Sequence, residues 1–153
     1  MFRTRLNEAL KEAMRAKNPR AVSTLRLILA ALKDRDIAAR GRGVTDGIDE
    51  EEILSMLQTM IKQRREAISL YEQGGRLELA EQEREEIGII ETFLPKQFND
   101  AEVREVVAKV IADIGAASIK DMGRTMAELR TRYAGQMDFG KASGYVKEKL
   151  VQA

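Results

Sequence analysis

Apolar residues recur along this chain at intervals of three and four, the spacing that gathers them on one face of an α-helix. Phe2, Leu6, Ala9, Leu10, Ala13 and Met14 follow it first. The run stops at "KNPR", because Pro19 suits only the first turn of a helix. A second helix is predicted from about Pro19 to Arg40, with Leu25, Ile28, Leu29 and Leu32 facing inward, and it ends in the glycine-rich "GRGVTDG". "DEEE" opens a third: Asp49 can cap it, and Glu52 can complete a capping box. That helix extends to Gly74, where Gly74 and Gly75 make a tight reversal into a fourth. Ala80, Ile87, Ile90 and Leu94 line the inner face of the fourth helix, which Pro95 is expected to end.

Beyond "LPKQF" the pattern restarts on a smaller scale. Asn99 and Glu102 form a second capping signature ahead of Val103, Val106, Val107, Val110 and Ile111, with Gly115 as the stop. "SIKD" is expected to open a helix carrying Met122, Met126, Leu129 and Tyr133. Ala142, Tyr145, Val146 and Leu150 suit a last one. The predicted fold is therefore all-α. An N-terminal antiparallel bundle of about four helices occupies residues 1–95, and a small C-terminal lobe of three helices occupies residues 99–153.

Composition narrows the chemistry. The 153 residues include no cysteine, histidine or tryptophan, which removes disulfides, thiolate or imidazole metal sites and every His-dependent nucleophile. No catalytic residue, metal ligand or cofactor site is expected. The longest strongly apolar run, Leu27 to Leu32, falls far short of the roughly 20 residues a bilayer span requires, so no membrane partner is expected. The first helix is amphipathic and Arg-bearing like a transit peptide, but Glu8 and Glu12 are foreign to such peptides and favour a helix of the fold itself. A reducing, cytoplasmic location is the expectation that follows.

Net charge is only +1, yet it is unevenly spread. Residues 1–40 carry ten Lys or Arg against four Asp or Glu, whereas residues 48–98 carry six against twelve. Either the two segments attract each other within one bundle, or the basic one faces a polyanion. The "KQRR" cluster of the third helix tests which. On a helical wheel with Leu57 at zero, Ile61, Ile68 and Tyr71 fall within about 40°, and Arg64 falls at about −20°, inside the stripe. Lys62 and Arg65 point elsewhere, so there is no shared basic patch. A guanidinium placed there needs an anion beside it. If the third and fourth helices are antiparallel, Glu83 lies within reach, and Asp36 falls in the stripe of the second helix. Asp36, Arg64 and Glu83 are thus expected to form a structural charge cluster.

Three segments carry a resemblance. "STLRLILAALKDRDI", "MIKQRREAISLYEQGGRLELAEQEREEI" with "TFLPKQF", and "KDMGRTMAELRTRYAGQMDFGKASGYVKEKL" resemble the stand-alone YqeY family over nearly the whole chain. That family is similar to the helical tail of the B subunit of glutamine-dependent tRNA amidotransferases, which contacts tRNA while the chemistry lies in a separate domain. The resemblance implies a helical N-terminal lobe, a small helical C-terminal lobe and tRNA as a partner. It supplies no catalytic residue. Where relatives have a basic, small-residue stretch such as "GRADG", this chain reads "GQMDFGK", Gly135 to Lys141. Lys120, Arg124, Lys141 and Lys147 are the candidates for contact with a nucleic acid, against the reading that they serve solubility alone.

Three functions follow as expectations: a non-catalytic tRNA-associated module of an amidotransferase-like assembly, a protein–protein adaptor, and a carbon–nitrogen ligase using glutamine as amido donor within a complex. The last has no phosphate-binding loop or nucleophile elbow to support it. Oligomeric state is left open.

Overall fold

A computed structural model of the chain describes residues 1–152. Those residues form seven α-helices and no strand: α1 (Phe2–Arg15), α2 (Pro19–Arg40), α3 (Glu50–Gln73), α4 (Leu77–Glu91), α5 (Asp100–Ile114), α6 (Met122–Tyr133) and α7 (Phe139–Gln152). A 3-10 turn, Ile119–Asp121, precedes α6. The chain divides into two compact units, Met1–Leu94 and the part from Pro95 onward.

In the first unit α3 and α4 form a helical hairpin, α2 lies against both, and α1 packs on α2. Leu6, Ile28, Ile53, Met56, Leu57 and Ile90 are fully buried in its core, each side chain contributing about 2 kcal/mol of transfer free energy. Asn18 caps α2 by accepting the Ala21 N–H at 3.2 Å, with Pro19 at the first helical position. Asp49 caps α3 through the Glu52 N–H at 2.9 Å. The expected capping box stops there, because the Glu52 carboxylate pairs instead with Arg42 at 3.3 Å. Gly75, at φ 71°, makes the reversal between α3 and α4. The fourth helix ends at Glu91 rather than at Pro95. The Thr92, Phe93 and Leu94 N–H groups step down to i−3 carbonyls, a tightening that carries the chain out of helical geometry before the proline-restricted position of Leu94.

The second unit packs α5, α6 and α7 against one another around Val107, Val110, Leu129 and Val146. The Asn99–Glu102 capping box forms with both arms, and Gly115 takes the left-handed conformation after α5. "SIKD" forms the 3-10 turn instead of the first turn of α6. Asp121 accepts the N–H groups of Ala117 and Ser118 at 2.7 and 3.2 Å, which pulls the segment tighter than an α-helix allows.

Candidate nucleic-acid interface and interhelical charge cluster

The helix phase that carries Leu57 and Ile61 into the core carries Arg64 with them. Its side chain is only 13% exposed, and its Nε donates to Glu86 Oε2 at 3.1 Å, with Glu83 Oε2 at 3.9 Å. Nη1 donates to the Met60 carbonyl at 3.2 Å. Glu86 is therefore the nearer partner, and sequence reasoning missed it. With Ile87 at zero on the α4 wheel, Glu83 lies at about −40° within the stripe and Glu86 at about −100°, just past Ile90. A long guanidinium spans that difference, and the i,i+3 spacing of the two glutamates was the signal.

Asp36 does not join this cluster. Its Oδ2 and Oδ1 accept Arg3 Nη1 and Nη2 at 2.7 and 2.8 Å, and Oδ1 also accepts the Ile48 N–H at 2.9 Å. The short connection after α2 reverses the chain, so Asp36 is level with the start of α3. Arg64 lies fourteen residues beyond Glu50, about 21 Å along the axis. The expected cluster of Asp36, Arg64 and Glu83 is thus two separate sites. At the second, Arg3 Nη2 also donates to the Ile48 carbonyl at 3.0 Å. A Cβ on Gly47, at φ 90°, would stand 2.5 Å from that same Nη2, so glycine is required there both for its backbone and for the approach of the guanidinium.

The two sites titrate in opposite directions. The Arg3 guanidinium, helped by the Ile48 N–H, holds the Asp36 carboxyl down at about 2. Burial, reinforced by the Glu86 charge, pushes the Glu83 carboxyl up. A carboxyl with a raised folded-state pKa stabilises the fold while protonated and loses that contribution as pH rises through its folded value. Glu83→Gln is accordingly expected to raise the denaturant midpoint at pH 7, and the gain should vanish as pH falls through the Glu83 titration. A denaturation series across pH on both proteins checks this.

In the second unit the four candidate cations separate. Arg124 is an internal strut: it pairs with Asp121 at 3.0 Å and donates to the Ile114 and Gly115 carbonyls at 2.7 and 3.4 Å, closing the C-terminus of α5. Asp121, held by the Ala117 N–H and then by Arg124, is lowered to about 2. Lys120, Lys141 and Lys147 are exposed, and their ammonium groups form no ion pair among the described residues. Arg104 pairs with Glu148, and Arg132 with both Asp113 and Glu128.

The "GQMDFGK" turn is internally satisfied. Asp138 Oδ1 accepts the Gly140 N–H at 2.8 Å and so already places a carboxylate at the start of α7. Gln97 and Phe98 bond the Gly135 and Gln136 carbonyls. Tyr133 meets Phe98 edge-on, its ring centroid at 5.6 Å. Phe139 and Tyr145 each have a face covered, by Arg130 at 5.7 Å and Arg104 at 4.0 Å, so the described rings of this unit are already engaged where a base would stack. The arrangement offers lysine point charges to a polyanion.

Comparison with known proteins adds the relationship. The chain is 33% identical over 105 residues to "Altered inheritance of mitochondria protein 41, mitochondrial" of Lachancea thermotolerans, covering 69% of this chain and 54% of that protein. It is 29% identical over 123 residues to the protein of the same name from Vanderwaltozyma polyspora, covering 76% and 64%. The Saccharomyces cerevisiae counterpart is 31% identical over 85 residues, covering 56% and 44%. The chain thus spans between 44% and 64% of the length of these relatives. Their names are mitochondrial, which overturns the cytoplasmic location expected from the sequence. The sequence model of one family, described as Yqey-like protein, matches residues 3–150, and the chain belongs to that family.

Proposed function

We propose that the chain is a helical binding module with no chemistry of its own, which contacts tRNA through its C-terminal unit and works within an amidotransferase-like assembly. One observation carries the reading: in that unit the arginines are engaged by carboxylates, carbonyls or rings, while Lys120, Lys141 and Lys147 stand exposed without a carboxylate partner among the described residues. Unpaired surface ammonium groups are what phosphates neutralise, with release of their counterions. The link to an amidotransferase rests on the resemblance of the family to the tail of that enzyme's B subunit.

Filter binding of bulk tRNA over a salt series tests it. Affinity should fall steeply with salt. Replacing Lys120, Lys141 and Lys147 together by Ala should weaken binding and reduce the slope by about three, roughly one for each phosphate that is no longer neutralised. Arg124→Ala should instead lower the thermal stability of the second unit. No tRNA binding near physiological salt, or a triple variant that binds like the parent, overturns the proposal.

A further inference from the structure

We propose that the outward face of α2 is a docking site for an acidic amphipathic helix of a partner protein, an interaction separate from the tRNA reading of the other unit. The face begins with two large apolar side chains left in solvent: Leu27 is 47% exposed and Ile37 49%. With Leu27 at zero on the wheel, Ser23, Ala30, Asp34 and Ile37 lie within about 80° on one side. Along the edge of that stripe, at about −100 to −140°, run Arg26, Lys33 and Arg40, seven residues apart at each step and so spaced by about 10.5 Å. All three are exposed, and none forms an ion pair among the described residues. Beyond the cations, a groove of about 340 Å³ between α1 and α2 is lined by Leu29, Leu32, Lys33, Ile37 and Arg40 of α2, together with the Arg3–Asp36 pair and Asn7.

The fold does not absorb this charge. Arg20 is the α2 cation that reaches the acidic hairpin, at Glu85; Asp36, whose carboxylate feels the Arg40 charge, is already held by Arg3. The basic surplus of the first forty residues therefore stays at the surface. A second copy of the chain does not pair α2 against α2 on this face, since two such ridges would repel. Nucleic acid does not account for Leu27 and Ile37, and α2 has no aromatic residue to stack on a base. A partner helix has the same rise per residue. Acidic side chains repeated every seven positions would therefore meet Arg26, Lys33 and Arg40 in register while its apolar stripe covers Leu27 and Ile37.

The test is fluorescence anisotropy with the full chain and a labelled synthetic peptide of about three heptads, Leu at positions a and d and Glu at e and g. A scrambled peptide of equal composition is the control. The amphipathic peptide should bind at least tenfold more tightly than the scrambled one. Binding should fall at least tenfold in Arg26→Ala/Lys33→Ala/Arg40→Ala and again in Leu27→Ser/Ile37→Ser, both of which should keep the parent's circular dichroism melt because these side chains are exposed. The Lys120/Lys141/Lys147 variant should bind the peptide unchanged, which keeps the outcome independent of the tRNA proposal. Equal affinity for the scrambled peptide, or binding indifferent to the α2 substitutions, overturns the proposal. So does a single-stranded RNA oligonucleotide or an anionic phospholipid vesicle that displaces the peptide and itself requires Arg26, Lys33 and Arg40.

Discussion

Arg64→Ala is expected to destabilise the first unit by about 3 kcal/mol at pH 7, as removal of one partner from a largely buried ion cluster does. The substitution leaves Glu83 and Glu86, side chains 23% and 14% exposed, facing each other without the cation that joined them. It also removes the aliphatic stem of the arginine from the seam between α3 and α4. The Glu83 carboxyl, already raised by burial and the Glu86 charge, then loses the cation that opposed the shift, so stability lost at neutral pH should return in part as pH falls. Urea denaturation at pH 7 and pH 5, with hydrogen exchange to localise the loss to α3 and α4, measures both effects. Arg64→Met combined with Glu83→Gln and Glu86→Gln should recover most of the loss, because an uncharged seam of similar volume has no ionic desolvation to offset. A variant as unstable as Arg64→Ala alone would show that the guanidinium contributes more than charge balance.

Asp36→Ala is the second large effect, about 2 kcal/mol. Its carboxylate holds both Nη atoms of Arg3 and also accepts the N–H of the buried Ile48, so its removal strands a cation and a backbone donor together. The pH dependence has the opposite sign to that of Glu83. A carboxyl lowered from its usual value to about 2 supplies stability that is complete above the unfolded pKa and is lost as pH falls toward 2. The gap between parent and Asp36→Ala should be widest near neutrality and narrow in acid. Chemical denaturation between pH 7 and pH 3 is the direct check, and a gap that stays constant over that range would mean that packing, not ionisation, holds the loop before α3.

Periodicity made the helices legible because each stripe is continuous and each stop is chemically marked: Pro19, the Gly74–Gly75 pair, the Asn99 box and Gly115. It also placed Arg64 inside the seam, since the wheel depends only on local geometry. Partner choice was less legible. Arg3 and Arg64 are both cations beside a carboxylate of another helix, and which of them meets Asp36 depends on how far along its neighbour each residue lies, a tertiary quantity the wheel leaves out. The same limit hid the role of Arg124. Its sequence context made it a candidate for nucleic-acid contact, but the reach of its guanidinium to the end of α5 follows only from the packing of α5 on α6. At the far end of α4 the chain left the helix before Pro95 because backbone tightening, set by local bonds among residues 89–94, is not encoded in apolar spacing.

The second unit assigns its two kinds of cation to different work. Arg104, Arg124, Arg130 and Arg132 hold the unit together by forked or stacked interactions, geometry that a flexible ammonium does not reproduce. Lys109, Lys120, Lys141, Lys147 and Lys149 lie on the surface without ion pairs among the described residues. Acetylation of those lysines would therefore change what the unit attracts while its melting behaviour stays put, and methylation of the arginines would do the reverse.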